Sequence, residues 1–281
     1  MKPLTISIIG GTGKMGQLFK KAFSKQGHKV IISGRNTKIN NKEAAAKGDI
    51  VIISVPIRET KAVIDEIIPH IQPSSLLTDF TSVKVAPCNW MRNSNSNIVG
   101  GHPVFGPLKS IKDMKGQNFI LCPIKGNFSE YKSLLESLGL NVIIMKPDEH
   151  DKEMAVIQCL NQLSNLAFGD SLKQLNFNLS NPLTSPNFQL RLYPIGRVLS
   201  QSEEMWADIE TENPYSKDVA KVFQESTNKI KQMIEKNDKQ GIENLMKETR
   251  VYFSPLKEES AVLTEKMLKE INKFKNKKRK D

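Results

Sequence analysis

Residues 1–147 read as a doubly wound α/β sheet of parallel strands, and residues 148–281 as an all-α domain ending in a basic tail. Three observations carry this reading. Short β-branched runs alternate with amphipathic stretches up to Lys146. The runs are nearly continuous in apolar residues, the pattern of strands covered by helices on both faces. The β-runs then stop at Pro147, and beyond it apolar residues recur only at helical spacing.

In chain order the runs are Thr5–Ile9, Lys29–Ser33, Ile50–Ser54, Leu76–Asp79, Asn97–Gly100, Asn118–Cys122 and Asn141–Met145. Between them, Met15–Lys25, Glu59–Pro69 and Glu130–Leu138 place apolar residues three and four apart, as a helix covering a sheet requires. Beyond the short junction Met145-Lys146-Pro147-Asp148, helical segments are expected near 151–176, 184–210, 215–236, 238–252 and 256–275.

Composition excludes several classes. The chain has 281 residues, 38% of them hydrophobic and 25% charged, enough for a core and against wholesale disorder. No run approaches the eighteen apolar residues of a membrane span. Met1-Lys2-Pro3 leads into the first strand without a signal-peptide core, so a cytoplasmic protein is expected. Cys88, Cys122 and Cys159 lack the spacing of a zinc site and read as reduced, half-buried packing residues; no metal is expected. Of the net charge of +11, residues 272–281 supply six Lys or Arg against one Asp. No aromatic pattern interleaves them, so the tail reads as solvated, with no nucleic-acid partner.

The first run ends in Gly10-Gly11-Thr12-Gly13-Lys14-Met15-Gly16, which places G-x-G-x-x-G between a strand and a helix. This is the Rossmann-type dinucleotide turn. Gly11 allows the tight turn, Gly13 lets the backbone approach a pyrophosphate, and Gly16 lets the helix pack on the strand. Gly11, Thr12, Gly13, Lys14, Met15 and Gly16 are the expected phosphate cradle, with Ser54 and Pro56 beside it after the third strand. The second strand ends Ile32-Ser33-Gly34-Arg35-Asn36-Thr37, without the acid that bonds a ribose 2′-hydroxyl. Arg35, helped by Ser33 and Thr37, suits a 2′-phosphate, so NADP is the expected cofactor and NAD the alternative.

Of four histidines, His28 and His70 fall in connections before strands and read as surface or capping residues. His150 reads as structural. His102 follows the fifth run in Gly100-Gly101-His102-Pro103-Val104-Phe105-Gly106-Pro107, at the carboxyl edge where open α/β sheets bind ligands. An imidazole there can take an alcohol proton while a hydride departs.

Together, Gly10–Gly16, Thr78–Lys84 (TDFTSVK), Gly100–Pro107 (GGHPVFGP), His150–Gln162 (HDKEMAVIQCLNQ) and Ile195–Ile209 (IGRVLSQSEEMWADI) resemble the prephenate dehydrogenase family over nearly the whole chain. The likeness is to the dehydrogenase part of bacterial proteins that also carry a chorismate mutase. The mutase bundle is not expected here, because the first strand begins at Thr5, nor is a C-terminal regulatory domain. The resemblance implies oxidative decarboxylation of prephenate or arogenate, a small dicarboxylate, as in tyrosine biosynthesis. It makes His102 the base, Ser82 its support and Arg197 the partner of a substrate carboxylate. It also implies a homodimer through the helical domain. Gln158 and Gln162 fall in the substrate-binding helix, where Gln162 stands in place of the usual histidine. Two alternatives stay open: a dehydrogenase of the amino analogue 4-amino-4-deoxyprephenate, and a non-catalytic dinucleotide-binding regulator.

Overall fold

The computed structural model describes residues 2–107, 110–181 and 183–278. Seven strands form one sheet: β1 (Thr5–Ile9), β2 (Lys29–Ser33), β3 (Ile50–Ile53), β4 (Leu76–Asp79), β5 (Asn97–Pro103), β6 (Asn118–Lys125) and β7 (Asn141–Ile144). Their order is β2-β1-β3-β4-β5-β6-β7. The first five are parallel, as expected. The sixth is not: β6 runs antiparallel to β5, and β7 pairs with β6 in parallel. The cause lies in the connection. A parallel return needs a crossover, usually a helix, whereas the described residues between β5 and β6 hold only a 3₁₀ turn at Ile111–Met114.

Helices α1 (Lys14–Lys25), α2 (Asn41–Lys47), α3 (Ile57–Ile67), α4 (Val85–Met91) and α5 (Ser129–Ser137) cover the sheet. Leu18, Phe19, Ala22 and Phe23 of α1 enter the apolar layer on one face, with Ile6, Ile8 and Phe119. Val63, Ile64 and Ile67 of α3 enter the layer on the other, with Ile9, Val51 and Ile53. Two-sided burial is why these strands are apolar without alternation. The short α2 and α4 had no legible periodicity.

The helical half comprises α6 (Pro147–Met154), a π-helical turn (Ala155–Leu160), α7 (Asn161–Gln174), α8 (Pro186–Leu199), α9 (Glu203–Glu212), α10 (Ser216–Glu235), α11 (Lys239–Tyr252) and α12 (Lys257–Lys278). The stretch read as one helix at 184–210 is therefore two. Nor do the compact units divide at residue 147. One unit is Met1–Cys159 with Glu204–Ser216; the other is Leu160–Glu203 with Lys217–Asp281. Specific polar contacts bind the later segments into the first unit. Arg58 Nε donates to Asp208 at 2.8 Å, and Asn213 Nδ2 donates to the Asp151 carbonyl at 2.8 Å. In the second unit, α8 packs against α7 and α12. No described helix is long and apolar enough to cross a membrane. The tail read at 272–281 falls partly in α12, and 279–281 lie outside the described residues.

Candidate active site

The dinucleotide turn and His102 share the carboxyl edge of the parallel strands of the first unit. The turn differs from expectation by one residue. Its positive φ, +79°, is at Gly10, where a Cβ would sit 2.4 Å from the Ser54 carbonyl oxygen. Both Gly10 and Gly11 donate their N–H to the Ser33 carbonyl, at 2.9 and 3.0 Å. Gly16 acts as expected, since its Cβ would lie 2.6 Å from Gly11 Cα. At Gly13 a Cβ would meet nothing closer than 3.4 Å, so space lies open in front of the α1 N-terminus. That terminus has no side-chain cap and no acidic residue in its first turn, and Thr12, Gly13 and Lys14 are exposed. Its unsatisfied amides and open approach fit a pyrophosphate.

Around the turn, Ser54 is half-buried against Gly10 and Pro56 is exposed at the start of α3. Ser33 does not serve as expected: its side chain is fully buried, with Oγ donating to Asn41 Oδ1 at 2.9 Å. Only its carbonyl supports the turn. Thr37 Oγ1 accepts the Gly34 N–H at 2.9 Å and caps the bend. Arg35 is exposed, with its guanidinium 2.6 Å from a Glu59 carboxylate oxygen.

His102 lies within β5, which runs three residues further than the sequence suggested, and it is buried. Its Nδ1 is 2.8 Å from His150 Nε2, and His150 Nδ1 is 2.7 Å from Asp151 Oδ1. Asp151 also receives the backbone N–H groups of Lys84, on Oδ1 at 2.7 Å, and Val85, on Oδ2 at 2.8 Å. These two amides begin α4, so Asp151 caps that helix from α6. The ring partner of His102 is thus His150 and not Ser82, which is half-buried in the loop after β4. Burial, then the neighbouring His150 and Lys84, holds His102 well below the ordinary imidazole range. Burial likewise lowers His150, opposed by its bond to Asp151.

Lys84, the last residue of TDFTSVK, is fully buried. Its ammonium pairs with the Asp79 carboxylate and donates to the Gly101 carbonyl at 2.7 Å. Asp79 Oδ1 receives the Gly101 N–H at 3.1 Å. This ion pair ties β4 to β5 one residue before His102. Sequence reasoning missed both His150 and Lys84. The adjacency of His150 to Asp151 was the available signal for the first; for the second, the ion pair with Asp79 across a loop left no periodic signal.

Gln158 lies in the π-helical turn, and its buried Oε1 has no hydrogen-bond partner among the described residues. In the second unit, Gln162 is buried with its Oε1 likewise unpartnered. Arg197 is exposed in the last turn of α8.

Comparison with known proteins gives a consistent picture. Residues 20–161 match the family model described as prephenate dehydrogenase, nucleotide-binding domain, and residues 146–248 match its dimerization domain. A probable arogenate/prephenate dehydrogenase of Methanocaldococcus jannaschii is 33% identical over 94% of this chain and 64% of its own length. The T-protein of Haemophilus influenzae is 32% identical over 96% of this chain and 72% of its own. This chain therefore spans roughly two thirds of the length of these relatives. In fold it is similar to the prephenate dehydrogenase of Aquifex aeolicus, solved with hydroxyphenyl propionate and NAD+: TM-score 0.70, 23% identity, covering 91% of this chain and 99% of that one.

Proposed function

The chain belongs to the prephenate dehydrogenase family, and from that premise we propose that it oxidises prephenate or a close analogue with loss of carbon dioxide. The observation that carries the proposal is His102, a buried neutral imidazole bonded through Nδ1 and set at the edge of the sheet where the dinucleotide turn lies. A neutral imidazole takes the ring hydroxyl proton as C–H cleavage makes that oxygen a carbonyl. When bound, the nicotinamide ring supplies the hydride acceptor. Gly11, Thr12, Gly13, Lys14, Met15 and Gly16 hold the pyrophosphate, flanked by Ser54 and Pro56. Arg197 forks onto a substrate carboxylate. Ser82, in the TDFTSVK loop, is the hydroxyl expected at the reacting oxygen. Loss of the ring carboxylate completes an aromatic ring, which drives the reaction without further chemistry from the protein. His102→Asn is expected to lower kcat by about a hundredfold or more with little change in cofactor affinity. A variant that keeps near-wild-type kcat sinks this reading.

For the cofactor we favour NADP, bound through Arg35. An exposed ion pair contributes only about 0–1 kcal/mol, so Glu59 yields the guanidinium to a phosphate dianion. The same carboxylate supports the second reading, NAD, because it stands near where a 2′-phosphate would bind. Arg35→Asp decides between them: kcat/KM for NADP should fall while that for NAD holds or rises. A wild type that strongly prefers NAD overturns the reading of Arg35.

For the substrate, the unpartnered acceptor oxygen of Gln158 favours a molecule that offers a donor. The side-chain ammonium of arogenate does so where the keto group shared by prephenate and 4-amino-4-deoxyprephenate does not. A turnover panel of the three substrates against both cofactors ranks them. Failure of all three leaves the non-catalytic regulator. We further propose a homodimer through the helical domain.

A further inference from the structure

The polar chain behind His102 fixes the position of every proton in it, and its consequence rests on the reading of His102 as the base. Both Asp151 oxygens already receive backbone N–H groups, from Lys84 and Val85. A carboxylate so engaged is an acceptor at its third contact as well. His150 Nδ1, 2.7 Å away, must therefore carry the hydrogen, leaving His150 Nε2 bare. A bare Nε2 accepts. His102 Nδ1, 2.8 Å away, must then carry the second hydrogen, and His102 Nε2 is the nitrogen left with a free lone pair. Two backbone amides at the start of α4 thereby dictate, through two rings, which nitrogen of His102 is basic.

We propose that His150 and Asp151 are positioning residues that hold His102 in the tautomer with Nε2 free to take the substrate hydroxyl proton. The step balances simply: the O–H bond breaks, an N–H bond forms at His102 Nε2, and the hydride from the same carbon leaves for a nicotinamide dinucleotide. The proton stays on His102, whose Nδ1–H remains bonded to His150. Among the described residues, the charged groups facing this pair are few. Lys84 disfavours a positive imidazole, Asp79 is paired with Lys84, and Asp151 lies beyond His150 as the one carboxylate aligned with the rings. With the opposite tautomer, His102 would present Nε2–H to the substrate and could not act as a base.

The arrangement is testable without any substitution. Nitrogen-15 NMR of the wild-type protein near pH 7.5 should find both His102 and His150 neutral and protonated on Nδ1; a hydrogen on Nε2 of either ring overturns the proposal. Two substitutions at position 150 then separate positioning from packing. His150→Phe, which fills the space but accepts nothing, should lower kcat by about a hundredfold while KM for prephenate stays within about threefold. His150→Gln restores an acceptor and should regain about tenfold of that loss. Equal kcat in the two variants, or a near-wild-type kcat in His150→Phe, defeats the proposal. If the wild type turns over none of the substrates, the functional reading fails while the NMR result still decides the tautomer. If His102→Asn is inactive and His150→Phe is not, only this inference fails.

Discussion

His102 and His150 are buried and neutral in the folded protein, each held below the ordinary imidazole range chiefly by burial. Both take up a proton near pH 6.5 once the chain unfolds. Depressed folded-state values mean that the unfolded state binds more protons below that pH, so stability is full above it and lost as pH falls. Each group therefore adds to the loss on the acid side. Urea unfolding at pH 7.5, 6.0 and 5.0 should show stability falling along the series. His150→Gln should make the fall shallower, and a flat profile would mean that these rings are not held neutral. Glu210 behaves in the opposite sense. Burial pushes its carboxyl up to about 7, and its Oε1 has no partner among the described residues. Its raised value costs stability as pH climbs from about 4.5 toward 7. Because the group is partly exposed, Glu210→Gln should raise stability at pH 8 by only about 1 kcal/mol, read as a Tm shift of a few degrees. At this scale the sequence was legible where a residue type is tied to local backbone, as at Gly16. It was not legible where the role depends on a distant partner. His28, expected as a surface or capping residue, is buried and accepts the Leu4 N–H at 3.1 Å.

Strands and long helices were the most legible elements, because two-sided burial and helical spacing write themselves into consecutive residues. All seven strand cores were found, and their ends moved by a few residues at most. The direction of β6 was not legible, since an apolar run looks the same whichever way it runs. Nor was the π-helical turn Ala155–Leu160, which helical spacing across 151–176 conceals. One extra residue in a turn rotates every later side chain about the helix axis, so the face that Gln162 presents cannot be read from periodicity alone. The β4–β5 edge shows what an element boundary can depend on. Lys84 and Asp79 are both fully buried, and the carboxylate and ammonium also bond the Gly101 backbone. Removing one partner leaves a buried charge unmatched, at a cost of about 3–5 kcal/mol. Lys84→Met should show that loss in denaturant melts, whereas Lys61→Met, which breaks an exposed pair within α3, should change stability by no more than about 0.5 kcal/mol. Equal effects would mean that the Lys84 pair does not hold the edge.

The sheet unit explains its own composition; the helical unit does not. In the first unit, Ile6 and Ile8 of β1, Ile52 and Ile53 of β3, Phe19 and Phe23 of α1 and Ile64 and Ile67 of α3 are fully buried. In the second, Leu175, Val251 and Tyr252 are each at least 74% exposed, and α10 to α12 add Val222, Ile234, Met246 and Met267. An isolated protein rarely leaves so many large apolar side chains in water, and exposed apolar faces mark interfaces. A second copy of this chain is the occupant we propose, consistent with the dimerization-domain match over residues 146–248. The physical reason is cooperative: helices that cannot form a core alone acquire one by pairing, which ties their stability to protomer concentration. Light scattering at micromolar concentration should then give twice the 31.6 kDa of one chain, and Tm should rise with protein concentration. Ile234, at 61% exposure on α10, tests the surface directly. A carboxylate there costs almost nothing in a monomer, where the position faces water, but would be desolvated without a partner in an interface. Ile234→Asp should therefore weaken dimerisation by about a hundredfold or more while leaving the monomer folded, read as a shift to single-chain mass at the same concentration. A wild type that is already monomeric, with a Tm independent of concentration, would leave the exposed apolar faces of α10 to α12 without this partner.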